Sequence, residues 1–486
     1  MSAARRRAET LESSIDKAIA GGTEFASAFL GLQVVRLQDG KVLYQRNQNH
    51  LFVPASNTKL FATALALSRL GADYRVTTSI VATQKVDEKG ILNGDLIFVG
   101  RGDPTMSCRP YPYTKDWTRG PHVPAIEDLA EQLVTGGLKS VQGDIVGDDT
   151  RYPWDPFPGG WNIDDGVWEY GAPVSALIVA DNRLDVALKP GPAEGDLANV
   201  SVLPQLEFLT IDNRVRTVSS GERKIHADGR PGSFELRFWG TIPLGSDADS
   251  NPLAVPDPAV FAAAMLRDAL IRRGVAVRGQ AVARHRFLDE ISDPLQGDPP
   301  PAMEGTELAR RVSPPLIQEL QVMEKVSQNL HAEVLLRETG AVRRNMGTAA
   351  AGIAELKTFL DEAGVSDREY QFVDGSGLSR STFVSPQAIT KLLAYMYEHH
   401  KDEWVNLLPI GATDGSLEKR FKNHPEADAI HAKTGSLGNV RALSGYAESK
   451  RYGLVAFSMM INNYVAPDAD VTKFLDTIGL KLIPKS

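Results

Sequence analysis

Apolar positions recur along this chain with two periods, and the two alternate in blocks. Residues 9–20 carry a helical stripe. The stretch "FLGLQVVRLQDGKVLYQRN" then alternates with period two and breaks at Asp39-Gly40, a hairpin signal. After Ser56, the residues Leu60, Ala64 and Leu67 recur at helical spacing, with Phe61 and Leu65 beside them. This predicts a helix that runs to about Leu70 and stops at Gly71.

From about residue 78 the character changes. "VTTSIVATQ", "ILNGDLIFVGRGDP" and "GDIVGDDTRY" read as strands, and "AIEDLAEQLVTGGLKSV" as a helix with a glycine stop. Residues 150–170 are dense in aromatics, Pro and Gly and read as a long ordered loop, a kind that is usually functional. Residues 184–250 are mostly short strands and turns, and "PAVFAAAMLRDALIRRGVAVRG" is a helix. The Pro-rich "LDEISDPLQGDPPPAMEGTE" marks a boundary. Beyond about 305 a helical pattern runs through "PLIQELQVMEKVSQNLHAEVLLRETG" and again through "GTAAAGIAELKTFLDEAG". Strands follow in "AIHAKTGSL", "VRALSGYAES" and "YGLVAFSMMIN", and "DVTKFLDTIGLKLI" reads as a helix. No repeat of 20–50 residues is visible. The pattern is one α+β domain split by a long, more β-rich insertion.

The length of 486 residues is a prior for about three domains. A formal charge of −8 argues against bulk nucleic-acid binding. The single cysteine, Cys108, excludes intramolecular disulfides. Without a His or Asp partner nearby it reads as a half-exposed thiol rather than a nucleophile. No apolar run approaches the 18 residues of a membrane span. "MSAARRRAETLESSIDKAIA" has basic residues but no apolar core like that of a signal peptide. The expectation is therefore a cytosolic protein, or an exported one whose signal has been removed.

The candidate chemistry starts at "VPASNTKLF". Ser56 and Lys59 are spaced i, i+3, which puts both on one helical face. At a helix N-terminus the serine oxygen gains from free N–H groups and the dipole. A buried lysine beside it can lose its proton and act as a base. Alone, S-x-x-K is as well read as a capping serine and a surface lysine. Two further elements decide between these readings. "MEKVSQNLHAE" holds Ser327-Gln328-Asn329, and "HAKTGSLGNV" holds Lys433-Thr434-Gly435 in a strand-like run. S-x-x-K, S-x-N and K-T-G in that order are the signature of penicillin-binding proteins and serine β-lactamases. Ser327 can relay a proton between Lys59 and a leaving amine. Asn329 can hold a peptide carbonyl and the Lys59 ammonium. Lys433 offers charge, and Thr434 a hydroxyl, to a terminal carboxylate. Gly435 would let a substrate backbone approach the strand. The backbone N–H groups of Ser56 and Ser436 are candidate oxyanion-hole donors.

The chain resembles the class C low-molecular-mass penicillin-binding proteins, the D-alanyl-D-alanine carboxypeptidase/endopeptidase group also called peptidase family S13. The resemblance covers nearly the whole chain. It rests on the ordered motifs and on "LIFVGRGDPTM", "GDDTRY", "YGAPVSALIVADN", "VSQNLHAEVLLR", "VDGSGLSRSTFVSP", "DGSLEKRF" and "AKTGSLGNVRALSGY". It rests also on the 327 − 56 = 271 residues between Ser56 and Ser327. One departure is Ser-Gln-Asn where the family has Ser-Asp-Asn, at a central residue that points away from the chemistry.

The resemblance implies a transpeptidase-like domain, an antiparallel sheet flanked by helices, over residues 1–80 and 303–486. An inserted α/β domain would cover 81–183 and 251–302, with a nested mostly-β domain at 184–250. It implies a serine DD-peptidase that needs no cofactor and no metal. Its partners would be peptidoglycan stem peptides, with β-lactams as inhibitors acylating Ser56. No nucleic acid or transmembrane segment is implied, the oligomeric state is not readable, and the location would be the periplasm or cell envelope. In the family the free end of the diaminopimelate side chain is read by residues matching Arg380, Leu437 and either Asp148 or Asp149. Trp154 and Trp161 are offered to the same pocket, against ordinary packing of a long loop. Whether Lys59 or Ser327 takes the first proton is open.

The rival readings are a serine β-lactamase, for which the roughly 200-residue insertion has no rationale, and a non-catalytic envelope scaffold of the same fold, which the intact motifs oppose. No G-x-S-x-G marks an α/β-hydrolase, and "EHHKDE" at 398–403 is not the H-E-x-x-H of a zinc hydrolase.

Overall fold

The alternating stretch before the Asp39-Gly40 turn forms an antiparallel hairpin, β1 (Phe29–Arg36) and β2 (Val42–Arg46). In the computed structural model, which describes residues 10–204, 209–229, 233–298 and 304–484, this hairpin joins strands from the other end of the chain. These are β3 (Ile430–Leu437), β4 (Val440–Ser449) and β5 (Gly453–Asn462), and the sheet order is β3-β4-β5-β1-β2, antiparallel throughout. Phe29 pairs with Asn462, more than 400 positions away.

Among the described residues, seven helices lie wholly or partly in the same unit as this sheet. They are α1 (Leu11–Gly21), α2 (Lys59–Leu70), α3 (Leu316–Val326), α4 (Asn329–Arg344), α5 (Ala349–Glu362), α6 (Pro386–Trp404) and α7 (Asp468–Leu482). α1 and α7 cover one face, where Leu30, Leu32, Val34, Leu443, Phe457 and Ile461 form the core with Ile15 and Phe474. α6 lies on the other face. There Gln33 accepts a hydrogen bond from the Thr390 hydroxyl. α2 is buried on every side from Lys59 to Leu67, with polar Lys59 and Thr63 buried among apolar residues.

Contacts divide the chain into two compact units. The first holds the chain up to Ala72, Leu316–Leu336 and the chain from Gly352 on. The second holds Asp73–Pro315 and Arg337–Ala351. The second unit is built on a mixed five-stranded sheet, in the order 281–286, 145–153, 96–99, 77–82 and 306–312. Helices Pro124–Thr135 and Pro258–Arg272 pack with it around Ile80, Phe98, Leu129, Phe261 and Leu266. Among the described residues, the strands between 183 and 254 form two further three-stranded sheets. The "GRGDP" stretch is structural here. Asp103 is buried, accepts from Thr105 and pairs with Arg311. Cys108 is half-buried, and burial raises its thiol pKa, consistent with an inert cysteine.

Two expectations need correcting. The helical pattern 315–340 is not one helix. α3 ends at Val326 and α4 starts at Asn329, because Ser327 takes a left-handed φ of 63° that no α-helix continues through. Ser56 is also not the first residue of an α-helix. It lies in a 3-10 turn, Ala55–Thr58, that feeds α2, with Ala55 at φ 48°.

Candidate active site

The 3-10 turn brings Ser56 and Lys59 together, since residues three apart eclipse in that geometry. Lys59 Nζ lies 2.8 Å from Ser56 Oγ. It also lies 2.6 Å from Asn329 Oδ1 and 2.8 Å from the Ser376 carbonyl oxygen. Lys59 is 0% exposed, whereas Ser56 is only half-buried, so the Ser56 hydroxyl is reachable and its neighbour is dry. The turn is held from below. Asn57 Nδ2 donates to Lys433 O at 3.3 Å and Ser444 Oγ at 3.4 Å, and Thr58 Oγ1 donates to Ala55 O at 2.9 Å.

The left-handed Ser327 at the α3–α4 break points its hydroxyl at the third motif. Lys433 Nζ donates to Ser327 Oγ at 2.7 Å and to Thr434 O at 3.0 Å. Thr434 Oγ1 donates to Ser416 Oγ at 2.8 Å. Sequence reasoning missed Ser416, although "DGSLEKRF" carries it. Lys325 and Asp414, 2.6 Å apart, hold its turn.

β3 is an edge strand of the sheet. Ala432 N donates to Pro409 O and Gly411 N to Ile430 O, so the backbone of residues 430 and 432 points away from β4. By strand alternation Thr434 and Ser436 share that direction, so the Ser436 N–H faces the open edge. A cavity of about 220 Å³ adjoins it, lined by Ser416, Arg420, Thr434, Ser436, Arg441 and Leu475. Gly435 also lines this cavity. A Cβ there would stand 2.5 Å from Pro54 O and 3.0 Å from Ala442 Cβ, so a side chain at this position would collide with the Ser56 turn.

Electrostatics follow from burial. Desolvation, and then the like charge of Lys433, hold Lys59 well below the ordinary lysine range, against the pull of Glu324, Asp374 and Glu333. Burial lowers Lys433 to about 8, opposed by Glu324. None of these three acids was singled out from the sequence. Glu333 Oε1 accepts from the N–H groups of Gly375 and Ser376, and buried Asp374 accepts from Ser379 N and Thr382 Oγ1. Together they shape the loop that offers its Ser376 carbonyl to Lys59. Gly377 of this loop sits at φ 78°, packed on Ala55.

The remaining site candidates are placed as follows. Arg380 is exposed and donates to Gly438 O at 2.9 Å, one residue beyond Leu437, so those two stand together at the end of β3. Asp148 and Asp149 lie in the second unit. Asp149 is 2% exposed and committed to Ser175 and His285. Asp148 is half-buried, accepts from Thr150 and faces Arg284 at 3.2 Å. Trp154 packs against His285, the ring centroids 4.0 Å apart and the planes tilted by 31°.

Comparison with known proteins identifies the family. Residues 11–478 match the model of the D-Ala-D-Ala carboxypeptidase 3 (S13) family. The chain is 30% identical to a D-alanyl-D-alanine carboxypeptidase of an Actinomadura species, over 95% of this chain and 82% of that one. The crystal structure of penicillin binding protein 4 from Haemophilus influenzae superposes with a TM-score of 0.82 at 22% identity, covering 97% and 99% of the two chains. A second structure of that protein, complexed with a β-lactam, superposes at 0.76. A family match that spans all three motifs and both units leaves one assignment: the chain belongs to the D-Ala-D-Ala carboxypeptidase 3 (S13) family.

Proposed function

We propose that this chain is a serine DD-peptidase of peptidoglycan stem peptides, with Ser56 as nucleophile and Lys59 as its proton acceptor. One observation carries the reading. A wholly buried Lys59 touches both the Ser56 hydroxyl and Asn329, while Lys433 touches Ser327. Ser56 Oγ attacks the carbonyl of the penultimate D-alanine and its proton passes to Lys59 Nζ. The backbone N–H groups of Ser56 and Ser436 receive the negative oxygen. Ser327, held by Lys433, relays the proton to the leaving nitrogen as the C–N bond breaks. D-Alanine, or a cross-linked stem, departs. Water then cleaves the Ser56 ester.

The terminal carboxylate is assigned to the Thr434 and Ser416 hydroxyls within the field of Lys433. The buried ammonium spends its own hydrogen bonds on Ser327 and Thr434 O. Arg380 and Leu437 are assigned to the far side chain of the stem peptide. β-Lactams would acylate Ser56 as amide mimics. The location is the cell envelope, and specifically the periplasm. Within the inserted region, residues 184–250 are read as a nested domain because they build sheets of their own.

The test is intact mass after mixing with benzylpenicillin, for wild type and Ser56→Ala. The expected result is one penicilloyl group on the wild type, lost slowly, and none on the variant. Rapid loss would make the chain a β-lactamase. No adduct on either would return the scaffold reading.

A further inference from the structure

We propose that Glu324 is a positioning residue for the acyl transfer, a buried carboxylate that fixes how protons are shared between Lys59 and Lys433 and so sets the pH range in which Ser56 is acylated. The inference rests on the serine-peptidase reading above.

Glu324 lies on α3, one turn before Ser327, and is 0% exposed. α2 packs on α3, and Thr63, one turn past Lys59, donates its hydroxyl to Glu324 Oε1. Among the described residues Glu324 Oε2 has no hydrogen-bond partner. A desolvated carboxylate with one oxygen unmet is costly, and an apolar side chain would fill a helix interface without that cost. What offsets the cost is charge. Burial raises the Glu324 carboxyl above its ordinary value, and Lys433 on β3, the Thr63 hydrogen bond and Lys59 on α2 limit that rise, both lysines being 0% exposed. The other charged groups nearby are engaged elsewhere. Asp414, beside the 415–417 turn packed on α3, is paired with Lys325. Glu319, earlier on α3, faces His331 at 3.9 Å. The 405–407 turn carries no ionisable side chain. Glu333 and Asp374 act on Lys59.

The count of charges gives the consequence. Two ammonium groups in a dry site repel; Glu333 and Asp374 accept hydrogen bonds from their own loop and bear on Lys59 alone, which leaves Glu324 as the carboxylate that bears on both lysines. With Glu324 ionised the favoured state has one proton on the pair. Lys433 keeps it and holds Ser327. Lys59 is then a free amine with two N–H groups and one lone pair. Its neighbours match that valence, since the Asn329 Oδ1 and Ser376 carbonyl oxygens can only accept, while the Ser56 hydroxyl can donate. During acylation the Ser56 proton makes Lys59 an ammonium for the moment before Ser327 passes it to the leaving nitrogen. The Glu324 charge stabilises that state.

The experiment is the rate of penicilloyl uptake from pH 5 to pH 10, for wild type and Glu324→Gln. Loss of the negative charge lowers the affinity of both lysines for protons. Both limbs of the bell-shaped profile should therefore move to lower pH, by about one unit. A structural role would lower the amplitude and leave the limbs in place, and that result would overturn the inference. Should Glu324→Gln fail to fold, Thr63→Val is read instead. It strips the carboxylate of its hydrogen bond, favours its neutral form and must move the limbs the same way. A wild type that takes up no penicilloyl group would sink the peptidase reading and this one with it. Uptake with unmoved limbs sinks this one alone.

Discussion

Gly377 is where the loop that serves Lys59 meets the turn that carries Ser56. Its φ is 78°, and a Cβ added there would overlap Ala55 O and stand 2.5 Å from Thr58 Oγ1, roughly 1 Å short of ordinary contact. Gly364, at the end of α5, provides the control. Its φ is 70°, but nothing lies within 4 Å of its added Cβ. An alanine at either position is held in the left-handed region, at about 1 kcal/mol. Gly377→Ala adds overpacking of about 1–3 kcal/mol, or else displaces Ala55 by roughly 1 Å. A displacement of that size beside a nucleophile slows its reaction about 100-fold. The assay is the rate of penicilloyl uptake, with the urea dependence of the labelled fraction as the measure of stability. Gly364→Ala should label at the wild-type rate with a modestly lower midpoint. Gly377→Ala should lose more in midpoint and about two decades in rate. Equal labelling rates for the two variants would refute the claim that the 374–379 loop seats the Ser56 turn.

Two further predictions concern pH. Lys433 titrates at about 8, so its positive field, and with it capture of a carboxylate-ended peptide, should weaken as pH rises through 8. A KM for D-Ala-D-Ala peptide that stays flat from pH 7 to pH 9 would contradict the anchor. The same lowering means that the unfolded chain binds more protons above pH 8, so this lysine should make folding more favourable as pH rises toward its ordinary value. His285 behaves oppositely. Held between Asp149 at 2.9 Å and Asp257 at 3.1 Å, it is raised to about 9, so its contribution is full below pH 6.5 and lost as pH passes 9. His285→Ala should cost about 3 kcal/mol in urea unfolding at pH 6. The gap from wild type should narrow at pH 9.5, and a gap independent of pH would show that the ion pairs contribute nothing.

The parts of this site that a sequence displays are those set by local geometry. Ser56 and Lys59 are three residues apart, Ser327 and Asn329 two, and Lys433 to Gly435 consecutive, so each motif is one turn or one strand step long. The groups that tune them are not local. Glu324 reaches Thr63 across 261 positions and the Ser376 carbonyl reaches Lys59 across 317, so no periodicity reports either contact. The α3–α4 break was invisible for a different reason. Apolar spacing continues across it, no Gly or Pro marks it, and a serine holds the left-handed angle. Asp148 and Asp149 read alike in "GDDT", and only the tertiary partners of Asp149, His285 and Ser175, separate them. The helices, hairpin and final strands followed their periods because each buries one face or stripe.

The discontinuity of the first unit governs the order in which this protein can be completed. β1 has no neighbour on one side until β5, whose residues pair with it across more than 400 positions, has been synthesised. The 243 residues from Asp73 to Pro315 (315 − 73 + 1) emerge from the ribosome in between and can collapse on their own core while the Ser56 segment waits. Closure of the long loop is slow because its entropy is lost before any long-range strand pairing is gained. Ser56 therefore spends translation without Asn329, Lys433 or the Ser436 edge beside it. A nascent or truncated chain carries a serine and a lysine but no enzyme, and a covalent β-lactam label counts only molecules whose first and last strands have met.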